Sequence, residues 1–170
     1  MEIIAVANQK GGVAKTTTTY NLAASKALSG ANVLMVDLDP QASLSISCNV
    51  VEEKDNICRL FEQNVNEDMT SECAVNIEIK GLEDKLFLIP SDIDLAYIET
   101  QLISRRNAAV QLKKALKTID KYFDFCFIDC PPQLGLLLTN ALTAANKVII
   151  PVKTDYLSYK GLKALMQSIN

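Results

Sequence analysis

The segment Lys10-Gly11-Gly12-Val13-Ala14-Lys15-Thr16-Thr17 constrains this chain more than any other. It lies between a short apolar run, residues 2–7, and a stretch of helical character, residues 15–28. Adjacent glycines allow a tight turn whose N–H groups converge on phosphate oxygens. The start of the helix adds positive partial charge at the same point. Lys15 would then reach β- and γ-phosphates, and the Thr16 hydroxyl is placed to ligate Mg²⁺. The alternative is a strand–loop–helix turn that uses glycine only for its geometry, and it gives no reason for Lys-Thr-Thr. Two positions depart from the pattern G-x-x-x-x-G-K-[ST]. Ala7 stands at its first glycine and Ala14 at the glycine before the lysine, where a helical dihedral would cost little. A second lysine, Lys10, precedes the glycines.

Along the rest of the chain short β-rich runs alternate with helical stretches. Strands are expected over residues 2–7, 32–38, 85–89, 123–128 and 147–152. Helices are expected over 15–28, 106–120 and 134–145, with a shorter one near 56–63. Another starts from a cap at Ser91 or Asp92 and runs towards Ile103, and a last begins over 156–169. Residues 40–56 read as irregular, and the polar stretch 64–80 carries no clear period. Alternation of this kind predicts a doubly wound α/β fold, a mainly parallel sheet covered by helices on both faces. No repeat or linker divides the chain, so residues 1–170 read as one domain.

Composition narrows the chemistry. The chain has no histidine among 170 residues, which excludes His-based acid–base catalysis and His-ligated zinc. The five cysteines, Cys48, Cys58, Cys73, Cys126 and Cys130, form no C-x-x-C pair and read as thiols of a reducing cytoplasm. The longest apolar stretch, residues 134–145, falls short of the ~18 residues a membrane-spanning helix needs. No basic run exceeds two residues (Arg105–Arg106, Lys113–Lys114), and the net charge is −3. Any polyanion site must therefore be assembled by folding or by association of chains.

Three carboxylates stand at the ends of predicted strands. Asp37-Leu38-Asp39-Pro40-Gln41 follows the apolar run 33–36, and alternation points Asp37 and Asp39 the same way with Leu38 towards the core. Asp129 ends the run Asp124-Phe125-Cys126-Phe127-Ile128-Asp129, where its charge counts most in a low dielectric. In open α/β sheets this strand end is where ligands bind.

These residues resemble the deviant phosphate-loop family of ParA and MinD ATPases. Asn8-Gln9-Lys10-Gly11-Gly12 and Asp37-Leu38-Asp39-Pro40-Gln41 together are similar to its chromosome and plasmid partition branch, ParA and Soj. Asp129-Cys130-Pro131-Pro132 matches the family's D-x-P-P turn. The resemblance implies ATP and Mg²⁺ as cofactors, with Lys10, Gly11, Gly12, Val13, Ala14, Lys15, Thr16 and Thr17 around the phosphates. It implies Thr16, Asp37 and Asp129 at the metal, and Lys10, Lys15 and Asp39 as catalytic. Lys10 would reach the nucleotide of a partner subunit, a role that stabilises transition-state charge; otherwise it is a solvated loop charge. Asn140 stands where the family has an Asn on the next helix, as either a site residue or a buried helix hydrogen bond. Further implications are an ATP-dependent homodimer, non-specific DNA binding, a ParB-like activator, a cytoplasmic, nucleoid-associated location and no stable membrane insertion. The family continues past the equivalent of Asn170, so this domain is expected to be C-terminally incomplete, with adenine contacts and most DNA contacts outside it. The remaining readings are a MinD-like or other cargo-positioning ATPase, a non-hydrolysing nucleotide-dependent scaffold, and an electron-transfer ATPase, which the placement of Cys126 and Cys130 disfavours.

Overall fold

The computed structural model describes residues 1–51, 53–82, 84–154 and 166. The helix expected over 156–169 falls, save for Met166, outside them. Chain order is β1 (Glu2–Val6), α1 (Lys15–Leu28), β2 (Val33–Asp37), α2 (Ser43–Ser47), α3 (Glu67–Glu72), β3 (Val75–Asn76), β4 (Leu86–Ile89), α4 (Leu95–Leu102), α5 (Gln111–Thr118), β5 (Phe125–Asp129), α6 (Leu136–Ala144) and β6 (Lys147–Ile149). Short 3₁₀ turns occupy Ile57–Phe61, Ala108–Val110 and Asp120–Tyr122. The strands form one sheet in the order β3-β4-β2-β5-β1-β6. Every pairing is parallel except β3 with β4 at one edge. The doubly wound α/β expectation holds.

Period two explains the two cores. Leu34 and Val36 face one side of the sheet with Ala5, Cys126 and Ile128, and they pack against residues of α4, α5 and α6. Val33 and Met35 face the other side with Phe127, Leu86 and Leu88, against Ala23 and Ala27 of α1. Strands buried on both faces must be apolar throughout, as VLMV and FCFI are. The small residues Thr19, Ala23 and Ala27 follow one another at i, i+4, i+8 and are the buried row of α1, so this helix lies close on the sheet. Gly30, with φ 96°, ends it.

Several expected boundaries moved. The helix predicted over 106–120 is broken, because Asn107 takes a left-handed φ of 60° and α5 begins only at Gln111. Asp92 does not cap α4; its Oδ1 accepts from the Asp94 N–H at 2.8 Å in the turn before it. The final strand stops at Ile149 rather than 152, and α6 starts two residues late because Gly135 is extended. The stretch 64–80 contains α3 and the two-residue edge strand β3, and 40–56 contains α2. All five thiols are free, and burial pushes Cys126 and Cys130 far above the ordinary thiol range.

Candidate functional site

Parallel pairing lines up the C-terminal ends of three adjacent strands. Val6 of β1 pairs with Asp129 of β5, which pairs with Asp37 of β2. The loop after Val6 therefore rises beside two carboxylates. Asn8, 1% exposed, anchors that loop. Its Nδ2 donates to the Pro151 carbonyl at 2.7 Å and its Oδ1 accepts from the Lys10 N–H at 3.0 Å. Lys10 is half-buried at the turn before the glycines.

Gly12 (φ 66°) and Ala14 (φ 67°) are both left-handed, on either side of the buried Val13. The expectation of a helical dihedral at Ala14 is thus corrected. The chain reverses there immediately before α1, so Ala14 occupies a conformation that glycine adopts freely and an L-residue adopts at a cost of ~1–2 kcal/mol. A Cβ at Gly11 or Gly12 would meet nothing within 4 Å, so neither glycine is packed against a neighbour.

Helix α1 begins without a side-chain cap and without an acidic residue in its first turn. Its leading N–H groups are unmatched donors under a positive macrodipole, which is what an anion requires. Lys15, 9% exposed, is its first residue. Thr16 follows with its hydroxyl hydrogen-bonded to the Asp129 carboxylate, and Thr17 is exposed on the next position.

Asp129 is 1% exposed, and its Oδ1 has no hydrogen-bond partner. Burial pushes its carboxyl up to about 7, and the charges of Asp37 and Asp39 add to the rise while Thr16 and Lys15 oppose it. Asp37 is fully buried and is raised to about 6, again by burial first. Its oxygens are occupied. Oδ2 accepts from the Ser45 N–H and the Ser45 hydroxyl, each at 2.8 Å, and Oδ1 accepts from the Asp39 N–H at 3.2 Å. Ser45 Oγ in turn accepts from the Ser91 N–H at 2.9 Å, so one buried chain joins β2, α2 and the loop after β4. Asp37 therefore stands beside Asp129 at the ends of adjacent strands and ties β2 to α2. Asp39 is half-exposed and heads the following turn, its Oδ1 accepting from the Gln41 N–H at 3.0 Å.

One lysine among three carboxylates leaves a local excess of negative charge. The orphaned Asp129 oxygen, the Thr16 hydroxyl and the oxygen-only donor set suit a hard cation of the Mg²⁺ type. Among the described residues no cluster of three His, Cys, Asp or Glu could hold a metal alone. A cation here would need the oxygens of a second ligand, as Mg²⁺ does at phosphate sites.

Asn140 is not part of this site. It is fully buried, its Oδ1 accepts from the Leu112 N–H at 3.2 Å, and its Nδ2 donates to the Ala108 and Leu136 carbonyls at 2.8 and 2.9 Å. It clamps α6 to the start of α5. The structural parts that sequence reasoning did not assign are Asn8 and Ser45. A buried amide beside a glycine loop, and a serine eight residues after a strand-end acid, were the available signals.

Comparison with known proteins places this geometry. A family model described as an AAA domain matches residues 1–170. The sporulation initiation inhibitor protein Soj of Bacillus subtilis is 41% identical over 99% of this chain and 64% of its own length. The crystal structure of cobyrinic acid a,c-diamide synthase from Mycobacterium smegmatis with bound ADP and magnesium superposes with a TM-score of 0.89 at 38% identity, over 99% of this chain and 66% of that one. An ATP complex of a Cyanothece McdA variant superposes with a TM-score of 0.86 at 28% identity, over 98% of this chain and 62% of that one. The chain thus spans under two thirds of the length of the curated relatives it matches. Among the described residues no helix is long and apolar enough to cross a membrane.

Proposed function

This chain belongs to the AAA domain family, with Soj and ParA partition proteins among its relatives, and on that premise we propose that residues 1–170 act as one Mg²⁺-dependent ATPase domain of the partition type. The observation that supports this most directly is the uncapped, acid-free start of α1, where Lys15 follows directly on the glycine turn. The triphosphate would lie there, with Gly11, Gly12, Val13, Ala14 and Thr17 supplying backbone around it and Lys15 neutralising its terminal phosphates. Thr16 and Asp129 would hold Mg²⁺, which would offset negative charge on the phosphates. Asp37, whose Oδ1 accepts a single hydrogen bond at 3.2 Å, would add its charge at the metal and fixes α2 through Ser45. Asp39, the least buried member of the trio, would orient the attacking water. Lys10 would serve a neighbouring subunit's nucleotide, making hydrolysis depend on pairing of two chains.

The switch reading follows: ATP pairs the subunits, the paired form holds DNA without sequence preference, and hydrolysis stimulated by a ParB-like partner resets it in the cytoplasm. Light-scattering mass with MgATP, with MgADP and without nucleotide tests this. The reading expects a doubled mass with ATP only, lost in Lys10→Ala, and hydrolysis lost in Asp39→Ala with ATP binding retained. A single-chain mass in every condition, or unchanged hydrolysis in Asp39→Ala, would overturn it.

A further inference from the structure

Charge is segregated on this molecule away from the phosphate loop. Residues 100–119 hold five basic side chains and no acid: Arg105, Arg106, Lys113, Lys114 and Lys117. The other 150 residues hold 12 basic and 20 acidic groups, a net of −8. Three basic side chains elsewhere are ion-paired: Arg59 with Asp55 and Glu72, Lys121 with Glu67, and Lys147 with Glu2. Among the described residues none of the five has a carboxylate within ion-pair distance.

Three of these cations converge on a concavity. Arg105, Arg106 and Lys114 line a cavity of about 560 Å³ with the amides of Gln63, Asn64 and Gln111. The volume lies within the ~300–1,000 Å³ range of ligand sites. Arg105 is half-buried and donates to the Phe61 carbonyl, so it is held in place rather than sweeping solvent. Lys114 projects from α5, whose opposite side buries Leu112, Ala115 and Leu116. Lys117 continues the basic face one turn on. Two guanidiniums and one ammonium among amide donors form an oxyanion site, and a guanidinium suits bidentate carboxylate recognition.

The borders decide which anion fits. Glu62 forms one wall of the cavity. A DNA duplex is broad and carries one charge per ~1.7 Å of its axis, so it would lay phosphates over Glu62 as well as over the cations. A narrow strand can avoid it. In an extended peptide alternate side chains are ~6.6 Å apart on one face, so carboxylates can meet Arg105, Arg106 and Lys114 while the side chain between them clears Glu62.

We propose that the cavity between residues 62–65 and the start of α5 docks an extended, acidic peptide segment of a partner protein through Arg105, Arg106 and Lys114. The surface is independent of the nucleotide site, so it stands or falls separately from the ATPase reading. The test is fluorescence anisotropy of a labelled peptide of alternating Glu and Ser, of its Lys-for-Glu counterpart, and of a DNA duplex, at low and at raised salt. The Glu peptide is expected to bind and to weaken as salt rises. In the double variant Arg106→Glu, Lys114→Glu its affinity should fall at least tenfold, about 1.4 kcal/mol, and Arg106→Gln, Lys114→Gln should fall between. Both positions are exposed, and a wild-type melting temperature shows that the variants fold. Lys80→Glu, an exposed lysine near the β3 edge, should leave binding unchanged. Absent binding of the Glu peptide, equal loss in Lys80→Glu, binding indifferent to the double variant, or tighter binding of the duplex than of the peptide would each overturn the proposal.

Discussion

Replacing Asp129 by Asn should make the nucleotide-free protein more stable, although Asp129 stands at the centre of the proposed site. Its carboxylate is 1% exposed with one oxygen unpartnered, and burial raises it from an ordinary 3.8 to about 7. A raised carboxyl binds its proton more tightly folded than unfolded, so stability falls as pH rises from 3.8 towards 7, and the full cost is present above 7. The difference corresponds to about 4 kcal/mol at 1.36 kcal/mol per pH unit. Asn keeps the shape and an acceptor for the Thr16 hydroxyl while removing the charge. At 2–4 °C per kcal/mol for a chain of this size, the melting temperature of Asp129→Asn at pH 8 should rise by about 10 °C. Near pH 4 wild type and variant should converge, because wild-type Asp129 is then neutral. Thermal melts across this pH series in EDTA decide the matter. An unchanged or lower melting temperature at pH 8, or a gain that persists at pH 4, would refute the electrostatic reasoning.

Other perturbations follow from single contacts. Ala14→Gly relieves the left-handed strain of ~1–2 kcal/mol and gives back ~0.5–1 kcal/mol to unfolded-state freedom, so it should raise the melting temperature slightly; a clear drop would mean that the Ala14 methyl contributes packing. Ser45→Ala removes the hydroxyl that donates to Asp37 and accepts from Ser91, and should cost about 1–3 kcal/mol in chemical denaturation. Glu99 accepts from the Leu137 N–H at 3.1 Å at the start of α6, so Glu99→Ala should cost about 1 kcal/mol in the same assay. A Cβ at Gly135 would crowd the Glu99 carboxylate, so Gly135→Ala should cost a similar amount and add little in the double variant.

Much of this architecture was legible because its signals are local. The row Thr19, Ala23, Ala27 and the stop at Gly30 define α1 without reference to the rest of the fold, and its observed bounds match the expected ones. Strands β2 and β5 announce themselves by unbroken apolar runs that only double-sided burial explains. Position 107 was not legible, since asparagine tolerates a left-handed turn without requiring one, and the helical period of 106–120 runs straight across it. Nor was β3 legible: two residues pair with β4 at the sheet edge, and the pairing is decided by the partner strand rather than by their own pattern. At the site, sequence placed Lys15, Thr16 and Asp129 where the fold brings them together. It erred over the Ala14 dihedral, because whether the loop turns before or after that residue depends on how α1 docks on the sheet. It also could not foresee that Ser45 takes the Asp37 oxygens, which depends on α2, a helix of one turn in a stretch without periodicity.

Calorimetric titration with a non-hydrolysable ATP analogue, in Mg²⁺ and in EDTA, on this chain and on Thr16→Ala, tests the central claim most directly. The account predicts binding strengthened by Mg²⁺ in the wild-type chain, and the loss of that strengthening in Thr16→Ala with residual binding in EDTA retained. Binding indifferent to Mg²⁺ in the wild type, or a Mg²⁺ effect untouched in Thr16→Ala, would contradict the assignment of Thr16 and Asp129 to the metal beside the phosphate loop.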